Sequence, residues 1–136
     1  TKPGVTMFIA YCCIVIAALL PYVWAVIAKR AAPGYNNKDP RGWIAKQDSY
    51  QVRNAYAAHL NAFEAFPAFA AAVLMAQFAQ VDPQRVAWLA MAFVACRVLH
   101  GVFYVTVQQA LRSLAWLGGF ACVMTLMVSA AMKVGG

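Results

Sequence analysis

Apolar residues along this chain gather into four long runs, covering about residues 6–28, 49–79, 83–107 and 111–132. Each run is as long as the roughly 20 residues that an α-helix needs to cross the hydrocarbon of a bilayer. The pattern predicts an all-α protein of four transmembrane helices in one domain, residues 1–136. Lys29 and Arg30 stop the first run. Pro21 predicts a kink near its end, and Trp24 is placed for an interfacial belt. Residues 31–48 form the one long loop, rich in the turn formers Pro-Gly, Asn-Asn and Asp-Pro. Asp48 or Ser49 caps the second helix, and Pro67 predicts a kink inside it. Asp82-Pro83 is a helix start signal, a capping residue followed by Pro at the first helical position. The second and third runs therefore form a tight antiparallel pair. Gln108 and Gln109 separate the third run from the fourth, where Gly118, Gly119, Cys122 and Ser129 suit close helix approach.

The second run carries polar residues that a membrane helix does not need. In Arg53–Pro67, RNAYAAHLNAFEAFP, the residues Arg53, Ala57, Leu60 and Glu64 fall on one face at 100° per residue, with Asn61 on its flank. An ionisable group at membrane depth is costly and marks a functional site. The third run holds Arg97, His100 and Tyr104 within about 60° of one another on a helical wheel. Arg97 is the expected partner of Glu64. Arg112 opens the fourth run with no acid left to pair with it, as a cation suited to stabilise an anion or a thiolate.

Composition agrees: 64% of residues are hydrophobic and 11% charged, with a mean hydropathy of +0.64. The net charge is +7, and six of the eleven Lys and Arg residues (Lys29, Arg30, Lys38, Arg41, Lys46, Arg53) lie between the first two runs. By the positive-inside rule this basic loop is cytoplasmic. Four spans then put both termini on the other side, periplasmic if the membrane is a bacterial inner membrane. Arg53, His59, Glu64, Arg97, His100, Tyr104 and Arg112 all fall in the cytoplasmic leaflet. The charge follows a membrane edge rather than a groove-reading motif, so membrane lipids, not nucleic acid, are the expected surroundings. Cys12, Cys13, Cys96 and Cys122 lie in apolar runs without CxxC spacing, which predicts small buried residues and no metal site. No cleavable signal is expected at the N-terminus.

The motifs AHLNAFEAFP (58–67), RVLHGVFY (97–104) and LRSLAWLGG (111–119) together resemble the MAPEG family, the membrane-associated proteins in eicosanoid and glutathione metabolism, in a bacterial-type member. The resemblance spans about residues 6–132. It implies a left-handed four-helix bundle that assembles as a homotrimer, with glutathione bound between subunits at the cytoplasmic end and a lipophilic co-substrate entering from the bilayer. It further implies that Asn61, Glu64, His100 and Tyr104 line the glutathione site and that Arg97 belongs to it. Arg112 matches the arginine that stabilises the thiolate, Ser113 follows it as in several members, and Arg30 matches a basic contact. Two positions depart from the pattern: where members carry arginines facing the peptide carboxylates, this chain has Ala57 and Leu60. Arg53, one turn earlier on the same face, is the expected substitute.

The resemblance leans to a glutathione transferase or peroxidase acting on lipophilic substrates. The alternative is a non-catalytic subunit or scaffold of the same fold that packs lipids or joins a larger membrane complex. A third reading, haem held by His59 and His100, is disfavoured because it leaves Arg97 and Glu64 without a role.

Overall fold

The computed structural model describes residues 2–136, and among these every regular element is helical. Four long helices carry the apolar runs: α1 (Pro3–Arg30), α3 (Tyr50–Phe78), α4 (Pro83–Val105) and α5 (Gln109–Gly135), with a short α2 (Pro40–Ala45) in the loop. All four are long and apolar enough to cross a membrane. At 1.5 Å per residue, α1 is about 42 Å long, more than the hydrocarbon thickness. α1 continues through Pro21 and α3 through Pro67.

Local chemistry sets the ends. Pro3, Pro40 and Pro83 begin their helices near the first position, where the missing N–H costs nothing. Asp39 accepts from Gly42 N–H at 3.1 Å, Ser49 from Val52 N–H at 3.5 Å, and Asp82 from Gln84 N–H at 3.4 Å. Of the two residues expected to cap the second span, it is Ser49 that does so. α2 departs from the sequence pattern, which predicts only turns in the loop, although Asp39-Pro40 repeats the cap-then-Pro signal of Asp82-Pro83. Lys29 and Arg30 occupy the last turn of α1, where cations complement the helix dipole.

α3 and α4 both close in the double hydrogen-bonded Schellman turn. After α3, Val81 N–H reaches Ala76 C=O at 2.9 Å and Gln80 N–H reaches Gln77 C=O at 3.0 Å. After α4, Gln108 N–H reaches Phe103 C=O at 2.8 Å and Val107 N–H reaches Tyr104 C=O at 3.3 Å. The left-handed residue of each turn, normally glycine, is Gln80 (φ 61°) and Val107 (φ 60°).

α1 packs on α3 and α4, and α5 packs on the same two helices, so α1 and α5 stand at opposite corners. The main core is small-residue packing around a few large groups: Ala10, Cys13 and Ala17 of α1 against Phe69, Ala72 and Ala76 of α3, with Ala90 and Phe93 of α4 and Leu126 of α5. Phe69 and Phe93 stack at 3.9 Å between centroids. Lipid is as apolar as a side chain, so close packing by small residues, more than apolar burial, holds such helices together. Nearer the loop, Trp24, Ala58 and Ala62 make a second cluster. Here the structure corrects an expectation. Trp24 is not an interfacial anchor but is 6% exposed, its indole lying directly on Gly101 of α4, where a Cβ would collide with the ring. The missing side chain at Gly101 is what lets the indole turn inward.

Candidate functional site

α3 presents Asn61 and Glu64 one turn apart, and α4 presents Arg97 beside them. Arg97 is buried, 5% exposed. Its guanidinium donates from Nη2 to Asn61 Oδ1 at 2.6 Å. The partner anticipated from sequence is Glu64, and the hydrogen bond goes instead to the neutral amide one turn earlier. Among the described residues no carboxylate comes within 4.0 Å of that guanidinium. Glu64 is solvent- or lipid-facing in the single chain, and Asn61, on the flank of its face, is the side chain that turns toward α4. Geometry selects the amide: Asn61, on the flank, bonds Arg97, while Glu64 lines the same cavity at an exposed position.

Asn61, Glu64 and Arg97 share a cavity of about 290 Å³ between α3, α4 and α5. Its other walls are apolar: Ala65 and Ala68 of α3, Phe93 of α4, and Trp116, Phe120 and Met124 of α5. Trp116 and Phe120 stack in parallel, 5.2 Å between centroids. Gly119 lines the α5 wall, where a Cβ would make only ordinary contact, 3.6 Å from Arg97 Cδ and from Phe93. The cavity therefore joins one polar end to an aromatic and aliphatic wall.

A second polar group lies one turn nearer the loop. His100 is 3% exposed, and its ring meets Tyr104 edge-on at 5.6 Å. The Arg112 guanidinium carbon sits 4.4 Å from the centroid of the Tyr104 ring. A cation held over an aromatic face keeps its in-plane N–H donors free for an anion. Arg112 reaches this place because the tight 106–108 turn sends α5 back along α4.

None of the other three residues singled out from sequence lines the cavity. Arg30 and Ser113 are exposed, and Arg53 is exposed with its guanidinium carbon 5.8 Å from the Tyr50 ring. Ala57 is half-buried and Leu60 exposed. His59 serves the packing of the bundle, with its Nδ1 lying 2.6 Å from the Pro21 carbonyl oxygen. A carbonyl can only accept, so Nδ1 carries the proton and ties α3 to α1. Tyr56, stacked at 5.5 Å, and Phe63, edge-on at 5.0 Å, enclose the ring.

Comparison with known protein families matches residues 9–132 to the MAPEG family. The chain belongs to the MAPEG family. It is a multi-pass membrane protein of that family, and its four apolar helices accord with the family's four-helix bundle. A search of curated proteins finds no match. Sequence reasoning missed the apolar half of this MAPEG protein's cavity. Trp116 and Phe120, four residues apart and so on one helix face, were the signal available. Phe93 and Met124 carry none that separates them from ordinary core residues.

Proposed function

We propose that this MAPEG protein is a glutathione-dependent transferase or peroxidase acting on lipophilic electrophiles or lipid hydroperoxides. The observation that supports it is one of placement: Asn61, Glu64 and Arg97 meet at the polar end of an apolar cavity, with Arg112 over Tyr104 about two turns along α4 from Arg97. A hydrophilic thiol and an apolar acceptor have to meet at such a boundary. In this reading Arg112 holds the thiol as thiolate, since a nearby cation lowers a thiol's pKa. Asn61, Glu64 and Tyr104 orient the tripeptide. The thiolate sulfur forms the new bond to the electrophilic carbon, and the leaving group departs with the bonding pair. The protein works as a homotrimer, in a bacterial inner membrane, with the basic loop cytoplasmic and the termini periplasmic.

Calorimetric titration of glutathione into detergent-solubilised protein tests this. Saturable binding is the expected result. The second reading, a non-catalytic scaffold of the same fold, draws on Ala57 and Leu60. Two charge-assisted contacts are absent there, each worth roughly 1.5–3 kcal/mol. No heat of binding from a correctly assembled protein favours that reading.

A further inference from the structure

At the edge of the bundle away from the loop, Arg85 in the first turn of α4 and Lys133 in the last turn of α5 line one cleft of about 420 Å³. Ser129 and Asp82 complete its polar wall, and Val81 and Met132 its apolar one. Asp82 is already engaged in capping α4, through Gln84 N–H at 3.4 Å. Among the described residues, neither cation makes an ion pair within 4.0 Å. Lys133 has an ordinary reason to be where it is, at a helix C-terminus. Arg85 does not. It stands near the N-terminal end of α4, where the helix dipole disfavours a cation. It is also exposed, so packing does not account for it. Both residues sit opposite the loop that gathers most of the chain's positive charge. An anion between them would resolve the mismatch at Arg85 and face the cleft's surplus of positive charge. Trp88 is 64% exposed and, three residues on, lies about 4.5 Å deeper than Arg85 along the helix. A tryptophan so placed marks the headgroup level of a bilayer. On the apolar wall, Val81 is buried and Met132 is open, 72% exposed.

We propose that this cleft binds the phosphate of an anionic lipid headgroup. Arg85 and Lys133 take the phosphate oxygens, the Ser129 hydroxyl adds a donor, and Met132 meets the start of the acyl chains. The site is separate from the Asn61–Arg97 cavity and stands whether or not the protein handles glutathione. The test uses the full chain purified in an uncharged detergent. It is titrated with short-chain phosphatidylglycerol, with short-chain phosphatidylcholine and with inorganic phosphate, and followed by thermal melting and tryptophan fluorescence. Phosphatidylglycerol is expected to stabilise the protein saturably and more strongly than phosphatidylcholine, and inorganic phosphate at the same concentration to leave it unchanged. Arg85→Gln and Lys133→Gln should each weaken binding about tenfold, the scale of one charge-assisted contact. Arg41→Gln, in the loop at the other edge, should leave it unchanged, and Trp88→Phe should remove the fluorescence response while melting still reports binding. The double variant Arg85→Gln/Lys133→Gln binding as well as wild type would overturn the proposal. So would inorganic phosphate matching the lipid, or Arg41→Gln losing as much affinity as Arg85→Gln.

Discussion

At the scale of single residues, Arg97 decides how the polar site is built. A buried guanidinium needs acceptors, and the one it finds is Asn61, at 2.6 Å. Removing that acceptor leaves a charged donor unsatisfied in a low-dielectric bundle, costing about 1–3 kcal/mol or more. Asn61→Ala should therefore lower the melting temperature clearly, and Asn61→Ala combined with Arg97→Leu should recover part of the loss. Glu64→Gln should cost much less, because Glu64 faces outward in the single chain. A double-mutant cycle separates the two pairs: coupling of roughly 0.5–3 kcal/mol is expected between positions 61 and 97. A larger coupling between 64 and 97 would restore the pairing expected from sequence. Arg112 is the opposite kind of residue. Its contact is the face of Tyr104 at 4.4 Å, and its loss should leave the melting temperature nearly unchanged. If it stabilises a thiolate, Arg112→Ala should still bind glutathione but lose the ultraviolet thiolate absorbance at neutral pH, together with any transferase activity. Arg112→Lys should restore a fraction, since a point charge replaces a fork. Wild-type protein that binds glutathione without a thiolate signal would remove Arg112 from catalysis.

At the scale of elements, the ends of α3 and α4 show what is written in the chain and what is not. Asp82-Pro83 announces the start of α4, because capping and a tolerated proline are local chemistry. The Schellman turns leave no comparable mark, since the left-handed position holds Gln80 and Val107 in place of glycine. Trp24 is misplaced by sequence for a related reason: its burial depends on Gly101, which is 77 positions away and meets it only once α1 and α4 are packed. The Asn61–Arg97 bond is equally a matter of two helix rotations, and a wheel of either helix alone cannot fix it. The polar positions of the site are legible because they break an apolar pattern, and its apolar wall is hidden because it continues one. Val107 also yields a prediction. A β-branched residue at φ 60° is strained, and the left-handed conformation costs an L-residue roughly 1–2 kcal/mol. Its side chain is 55% exposed, so little packing is lost with it. After the entropy glycine restores to the unfolded chain, Val107→Gly should stabilise the protein by about 0.5–1 kcal/mol, read as a higher melting temperature. A lower one would mean that the strained turn is held by contacts of the valine itself.

At the scale of the whole molecule, one chain leaves its own chemistry unfinished. Glu64 lies in a membrane-spanning helix yet faces outward, and a carboxylate turned toward lipid is expensive. On the same side, α3 and α5 leave an apolar hollow of about 790 Å³ toward the edge away from the loop, beside Phe78 at 88% exposure. The Asn61–Arg97 cavity opens between the same two helices nearer the loop. A neighbouring copy laid along this face would cover the hollow, remove Glu64 from lipid and bring side chains of a second chain to the cavity. Arg30 and Arg53, stranded at the surface of one chain, are the cations such a neighbour could supply at the loop edge. The homotrimer expected of this fold meets these needs at once, and it makes a definite prediction. Native mass spectrometry from mild detergent should show mainly trimer. Glu64→Lys, which sets a cation beside Arg97 in that covered face, should shift the population toward monomer, while Phe8→Leu on α1, also exposed at 68%, should not. Monomer or dimer as the main wild-type species would end the trimeric reading. The site would then have to function from the residues of one chain, with neither Arg30 nor Arg53 among those that line its cavity.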